Sequence, residues 1–141
     1  MSFEDLWRES ANMRPAEQQA WLRRHATATI DGMGLCATMS PSPVDVGGPS
    51  GERVIFGVAE YSRDELALLD RVVAALPETN FVLRVFLMSQ CVSKQELEAF
   101  VPGIGLVLQS PVVAVYSEGV LMEWGCGRAA RDLLARRFRL Q

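Results

Sequence analysis

After residue 53, two hydrophobic patterns alternate along the chain. One predicts a buried strand, and the other predicts an amphipathic helix. The first run, RVIFGVAE, is apolar over the length of a strand without strict alternation, as expected of a strand buried on both faces. It is followed by an amphipathic helical pattern over SRDELALLDRVVAALPE. A second buried strand is predicted over NFVLRVFLMS, and a short helix over SKQELEAFVPG.

The last part of the chain predicts a hairpin and a covering helix. After the irregular stretch GIGLVLQ, two strands joined by a tight turn are predicted over PVVAVYSEGVLMEWG. An amphipathic helix over RAARDLLARRF ends the chain. The predicted order is therefore β-α-β-α-β-β-α, with a parallel crossover first and an antiparallel hairpin last. This order indicates a single α/β domain whose core spans 53–141.

The N-terminal region is predicted to be a helical extension of this core. In its first helix Phe3, Leu6 and Trp7 share one face, and Pro15 starts a second helix in which Trp21 is a buried contact. We expect both helices to pack on the core. If their aromatic face is exposed instead, these four apolar residues form a partner or dimer surface.

Two further segments connect this extension to the core. The extension covers 1–39, and its last part, TATIDGMGLCATM, predicts a short and imperfect first strand. Residues 40–52, SPSPVDVGGPSGE, are predicted to form a loop because they are rich in proline and glycine.

Composition excludes several classes of function. The 141 residues carry a net charge of −3, so the chain lacks the basic face that nucleic-acid binding requires. The arginines near the end of the chain are expected to complement the dipole of the last helix, with an anionic partner site as the alternative. No apolar run has the roughly 20 residues of a membrane span. We therefore expect a cytoplasmic protein with neither nucleic acid nor membrane as a partner.

The cysteines and the histidine predict neither a disulfide framework nor a metal site. Three scattered cysteines are too few for a framework, and a single histidine without a Cys-x-x-Cys pair leaves zinc without ligands. We expect no cofactor and no metal. The residues concerned are Cys36, Cys91, Cys126 and His25.

Three short motifs add to the element order. The first strand ends in Ala-Glu-Tyr at 59–61, Ser110–Pro111 opens the third core strand, and Gly125 lies in the last strand just before the final helix. Together with the order of elements, these motifs resemble the thioredoxin-like family over about residues 53–139. The resemblance implies a three-layer α/β/α sandwich and a cis Ser110–Pro111 bond.

The chain departs from that family at its redox site. If Tyr61 takes the place of the family's tryptophan, Ser62–Glu65 takes the place of Cys-x-x-Cys, and Phe56 that of a buried aspartate. Dithiol exchange needs one thiolate to attack and a second thiol to resolve the mixed disulfide. Disulfide oxidoreductase activity at this site is therefore excluded under this alignment.

A helix cap explains the replacement sequence. Ser-Arg-Asp-Glu matches the capping box, in which the Ser62 side chain accepts the amide three residues on and Glu65 reaches back. The same pattern recurs over Ser93–Glu96. The alternative is a serine nucleophile, but the only histidine, His25, lies outside the core region.

The resemblance favours a redox-inactive module that binds proteins. Such a module serves as an assembly factor, a chaperone-like adaptor or a subunit of a larger complex, and an extended peptide would pair with the backbone before the proline. Its partners would be other proteins or a second copy of the chain. The predicted groove is lined by Tyr61, Ser62, Ser110, Pro111, Gly125 and Cys126.

An enzyme with a single reactive thiol is the alternative hypothesis. Cys91 ends the second core strand, and Cys126 follows Gly125 near the predicted groove. A redox or glutathione-type activity would require one of these thiols to be exposed with a depressed pKa. Otherwise they are small buried hydrophobic residues.

Overall fold

The computed structural model describes residues 1–35 and 52–140, which form a mixed α/β fold. The helices are α1 (Phe3–Ser10), α2 (Pro15–Gly32), α3 (Arg63–Ala75), α4 (Lys94–Phe100) and α5 (Arg128–Arg137). The strands are β1 (Glu52–Val58), β2 (Val82–Leu87), β3 (Val112–Ser117) and β4 (Val120–Cys126). Short 3₁₀ turns follow α3 and β2, at Leu76–Glu78 and Met88–Gln90. From β1 onward the predicted order of elements is confirmed.

The four strands form one sheet in the order β2-β1-β3-β4. Strand β1 runs parallel to β2 and antiparallel to β3, so Phe56 faces Val85 on one side and Val113 on the other. Strands β3 and β4 form the predicted hairpin, whose two turn residues, Glu118 and Gly119, have φ of 51° and 81°. Positive φ at both central residues is typical of the tight turns that match the twist of a hairpin.

Helices cover both faces of the sheet, so β1 is buried as its continuous apolar run predicted. One core cluster lies between the sheet and helices α1, α2, α3 and α5, and the second lies between the sheet and α4. Within the described ranges, no helix has both the length and the apolar content needed to cross a membrane.

The N-terminal helices pack against the first of these clusters. Phe3 and Leu6 are buried, and Trp7 and Trp21 pack partly buried against the same cluster. The carboxylate of Asp70 in α3 accepts hydrogen bonds from the first two backbone amides of α1, at 2.7 and 2.9 Å. The prediction that these aromatic and apolar residues form an exposed partner surface is therefore wrong for Phe3 and Leu6, because their side chains complete the core.

The strand predicted over TATIDGMGLCATM is also wrong for its described part, because α2 continues to Gly32. Leu22, Ala26 and Ile30 follow one another at a spacing of four residues and form the buried stripe of this helix. The chain reaches the sheet only after the helix, where the carbonyl oxygen of Leu35 accepts a hydrogen bond from the amide of β2 residue Val85 at 2.7 Å.

The predicted loop over 40–52 lies outside the described residues except for Glu52, which is the first residue of β1. Cys36 also lies outside them.

Gly125 is a packing residue, and its replacement tests the contact between β4 and α5. A Cβ at this position would lie 3.0 Å from the carbonyl carbon and Cβ of Ala129, where backbone cannot easily yield. We expect Gly125→Ala to lower the free energy of unfolding by about 1–3 kcal/mol in urea denaturation. The matched control is Gly32→Ala, where a Cβ meets no atom within 4 Å. Equal effects of the two substitutions would contradict this packing role.

Candidate functional site

A groove of about 480 Å³ lies at the carboxyl ends of β1 and β2. Helix α2 contributes Gln19 and Arg23 to its wall, and the loop after β1 contributes Tyr61. The remaining lining comes from the segment after β2 and from the segment that precedes β3. These residues are Met88, Ser89, Cys91, Val92, Val107, Leu108, Gln109 and Ser110.

A buried carboxylate joins the segments around this groove. Glu65, in the first turn of α3, is only 4% exposed. Its Oε1 accepts a hydrogen bond from the Ala59 amide at 2.9 Å, and its Oε2 accepts one from the Ser110 hydroxyl at 2.7 Å. The end of β1, the start of α3 and the loop before β3 are therefore held together by one side chain, which fixes the position of groove-lining Ser110.

The capping box predicted at the start of α3 is only half present. Ser62 is the N-cap, and its hydroxyl accepts a hydrogen bond from the Glu65 amide at 3.3 Å. The Glu65 side chain does not return to the Ser62 amide, which donates instead to the Ala59 carbonyl at 3.0 Å. Glu65 therefore does not cap its own helix. Its side chain instead acts as a clamp that joins Ala59 and Ser110 to α3.

The predicted groove residues fall into separate places. Tyr61 and Ser110 line the groove, and the Ser110–Pro111 bond is cis, as the resemblance implied. Pro111 itself is buried, as is Gly125, which packs against α5. Ser62 caps α3, and Cys126 lies half-buried on the edge strand β4 against the second core cluster. Only two of the six predicted residues therefore line the observed groove.

Sequence reasoning missed the wall supplied by α2. The Nε of Arg23 donates a hydrogen bond to the Ser89 hydroxyl at 3.1 Å, which joins α2 to the segment after β2. No local pattern near either residue predicts this pairing, because they are 66 positions apart. The sequence did indicate that Leu108 could be exposed. It lies in the apolar stretch GIGLVLQ, whose pattern has no period and therefore predicts no buried face.

Exposed apolar side chains are concentrated at the groove. Among the large hydrophobic residues of the described chain, eight are exposed, and three of these line the groove. The three are Tyr61 at 58%, Val92 at 83% and Leu108 at 80% exposure. Leu106, also exposed, lies two residues from Leu108. Clustered apolar exposure of this kind marks interaction surfaces, whereas isolated exposed residues need no explanation.

The thiols are poorly placed for nucleophilic chemistry. Cys91 lines the groove, but partial burial, with a smaller effect from the nearby Glu96 carboxylate, raises its pKa from 9.0 to about 11. At neutral pH this residue is therefore a neutral thiol, which is a weak nucleophile. Cys126 is half-buried and does not line the groove.

Glu60 is a second buried carboxylate beside the site, and its environment differs from that of Glu65. Its side chain is fully buried, and no described group donates a hydrogen bond to either of its oxygens. It follows Ala59 and precedes Tyr61, yet it does not line the groove. Burial of a carboxyl group without hydrogen bonds destabilises the fold.

Comparisons with other proteins identify no family for this chain: no protein-family model, curated protein sequence or solved structure matches it. In the part of the chain that the structure describes, no three histidine, cysteine or acidic side chains are grouped so that they could hold a metal ion.

Replacing Glu65 tests its role as a clamp. Glu65→Leu would leave the Ala59 amide and the Ser110 hydroxyl without their buried acceptor, so we expect the free energy of unfolding to fall by about 2–4 kcal/mol. Glu65→Gln keeps the size and one acceptor oxygen, and its amide group can donate to the Ser110 oxygen, so its effect should be smaller. Urea denaturation measures both. Equal stabilities of the leucine variant and the wild type would show that the clamp is dispensable.

The raised pKa of Cys91 predicts slow alkylation. In the folded protein the rate of iodoacetamide labelling at Cys91 should be low at neutral pH and should rise as the pH approaches about 11, because burial favours the neutral thiol. In urea the same thiol should react at lower pH. Peptide mapping by mass spectrometry separates Cys91 from the other cysteines. Rapid labelling of folded Cys91 at neutral pH would contradict the prediction and favour a reactive thiol.

Proposed function

We propose that this protein is a non-catalytic binding module of thioredoxin-like fold, whose groove holds an extended segment of a protein partner. The observation that carries the proposal is the concentration of exposed apolar side chains at the groove, with Tyr61, Val92 and Leu108 all more than half exposed. A partner segment would remove these side chains from water, at about 25 cal/mol for each Å² of apolar surface covered. A role as an assembly factor, an adaptor or a subunit in the cytoplasm is consistent with such a module.

The thioredoxin-like part of the proposal is supported by topology. The sheet order β2-β1-β3-β4, with one parallel and two antiparallel pairings, agrees with a crossover followed by a hairpin. A helix begins shortly after β1, and the cis Ser110–Pro111 bond lies just before β3. These features support the thioredoxin-like part of the proposal.

The groove lacks the groups that thiol chemistry or hydrolysis would need. Ser62 to Glu65 contain no sulfur, and the Ser62 hydroxyl is engaged as a helix cap. The Ser110 hydroxyl donates a hydrogen bond to Glu65, whose other oxygen is held by the Ala59 amide, and no histidine is among the described residues that line the groove. Cys91 is held as a neutral thiol. Binding is therefore a better use of this surface than catalysis.

The segment that precedes β3 offers a backbone edge to a partner. No backbone–backbone hydrogen bond joins residues 104–109 to another described residue. Within this segment Ile104 and Val107 are partly buried, and the other four residues are exposed. Backbone groups without main-chain partners suit strand addition, in which main-chain hydrogen bonds bind an extended peptide and side-chain pockets select it.

A random-peptide library displayed on phage tests the proposal directly. Peptides recovered by the immobilised full chain should bind it in solution, and Leu108→Asp should weaken them by about tenfold or more, because a charged side chain would replace an apolar contact at the groove. The control is Val120→Asp, which changes another exposed apolar residue on the edge strand β4. Fluorescence anisotropy of labelled peptides gives the dissociation constants.

Two outcomes would overturn the proposal. One is a library from which no peptide binds. The other is an equal loss of binding in Leu108→Asp and Val120→Asp, since the groove would then have no special role. Circular dichroism of both variants confirms that they remain folded.

A further inference from the structure

We propose that the groove selects an extended peptide segment that carries an acidic side chain, and that the guanidinium of Arg23 binds that side chain. The inference rests on the proposed function, because it names the chemistry of the segment that the groove would hold. It follows from the charges, the hydrogen bonds and the exposure of the residues that line the groove.

Arg23 is the source of the selectivity. Among the described residues that line the groove, it alone carries a formal charge. Its Nε donates to the Ser89 hydroxyl at 3.1 Å, so the side chain is anchored across the groove wall. No ion pair with a described residue uses its terminal amino groups, whereas Arg63 and Arg137 are each paired with glutamates. Because this hydrogen bond uses Nε, the N–H groups of the two terminal nitrogens remain for a ligand.

The carboxylates that hydrogen-bond to the lining leave the Arg23 guanidinium without an ion-pair partner. Glu65 is 4% exposed, and its two oxygens accept from the Ala59 amide and the Ser110 hydroxyl. Glu96 is exposed and accepts a hydrogen bond from the Val92 amide at 3.3 Å, but no ion pair joins it to Arg23. An incoming carboxylate would meet the planar donors of an arginine, which bind carboxylates through paired, charge-assisted hydrogen bonds.

Much of the rest of the lining is apolar, so the bound peptide should carry apolar side chains next to its acidic side chain. Tyr61, Val92 and Leu108 are exposed apolar surfaces of the same groove to which α2 contributes Arg23. A free amino acid would reach only the guanidinium. A peptide with an acidic residue next to apolar residues would use both surfaces and would also pass residues 107–109, which line the groove. The occupant is therefore an acidic and apolar segment of a protein partner.

Matched peptides provide the test. Peptides recovered by the wild-type chain should be enriched in aspartate or glutamate beside apolar residues. One such peptide is then made in two forms that differ only by glutamate or glutamine. At physiological ionic strength we expect the glutamate form to bind the wild type about tenfold more tightly, in line with the loss of one charge-assisted hydrogen-bonded pair. Added salt should reduce this difference, because the pair is accessible to solvent.

Variants of two neighbouring arginines assign the effect. Arg23→Gln should make the two peptide forms bind equally, by weakening the glutamate form and leaving the glutamine form nearly unchanged. Arg24→Gln is the matched control, because Arg24 is exposed on the same helix but does not line the groove. It should preserve the tenfold preference.

The outcomes separate this inference from the proposed function. If no peptide binds, or if Leu108→Asp leaves binding intact, the groove itself is not the binding site and both proposals fall. If Leu108→Asp abolishes binding but the two peptide forms bind equally well to the wild type, the acidic preference is wrong and the proposed function stands. A preference that survives in Arg23→Gln would likewise overturn the role of Arg23.

Discussion

The Glu65 carboxylate fixes the geometry on which the groove depends. It accepts the last backbone amide before the β1–α3 turn and the hydroxyl of Ser110, so a single side chain connects the first turn of α3 with two strand ends. At 4% exposure the carboxylate is shielded from water, so these two hydrogen bonds satisfy oxygens that solvent does not reach. The thioredoxin resemblance would place a redox cysteine at this position, and a carboxylate serves here as a static link.

The N-terminal extension completes the site as well as the core. Asp70 caps the first amides of α1, and Phe3 fills the cluster beneath the helices, so the extension is attached to α3 by both polar and apolar contacts. Because α1 and α2 pack on each other, this attachment also positions α2. Helix α2 then carries Arg23 to Ser89 at the end of β2. The part of the groove wall that α2 supplies is therefore a consequence of how the extension packs, whereas the rest comes from segments at the ends of the strands.

Local patterns predicted the elements, whereas the site depends on distant pairs. The order of strands and helices, the hairpin turn and the Ser62 cap follow from residues a few positions apart. The bond between Glu65 and Ser110 spans 45 positions, and that between Arg23 and Ser89 spans 66, so no periodicity could indicate them. The strand predicted near Ile30 failed for a related reason. The small residues from Thr27 to Thr29 weaken the apolar pattern, although the buried stripe of α2 passes them and ends at Ile30.

The exposed apolar side chains of the groove, which add little to the stability of the fold, favour the proposal that the groove binds a protein partner. Folding buries Glu60 without a described hydrogen-bond partner and leaves Val92 and Leu108 about four-fifths exposed at the same end of the sheet. The exposed side chains contribute little to the isolated fold, because they are covered by none of its helices. Burial raises the pKa of groove-lining Cys91 to about 11, so its thiol is neutral at neutral pH. Under the proposed function, a partner that covers this apolar surface removes it from water, which stabilises the complex.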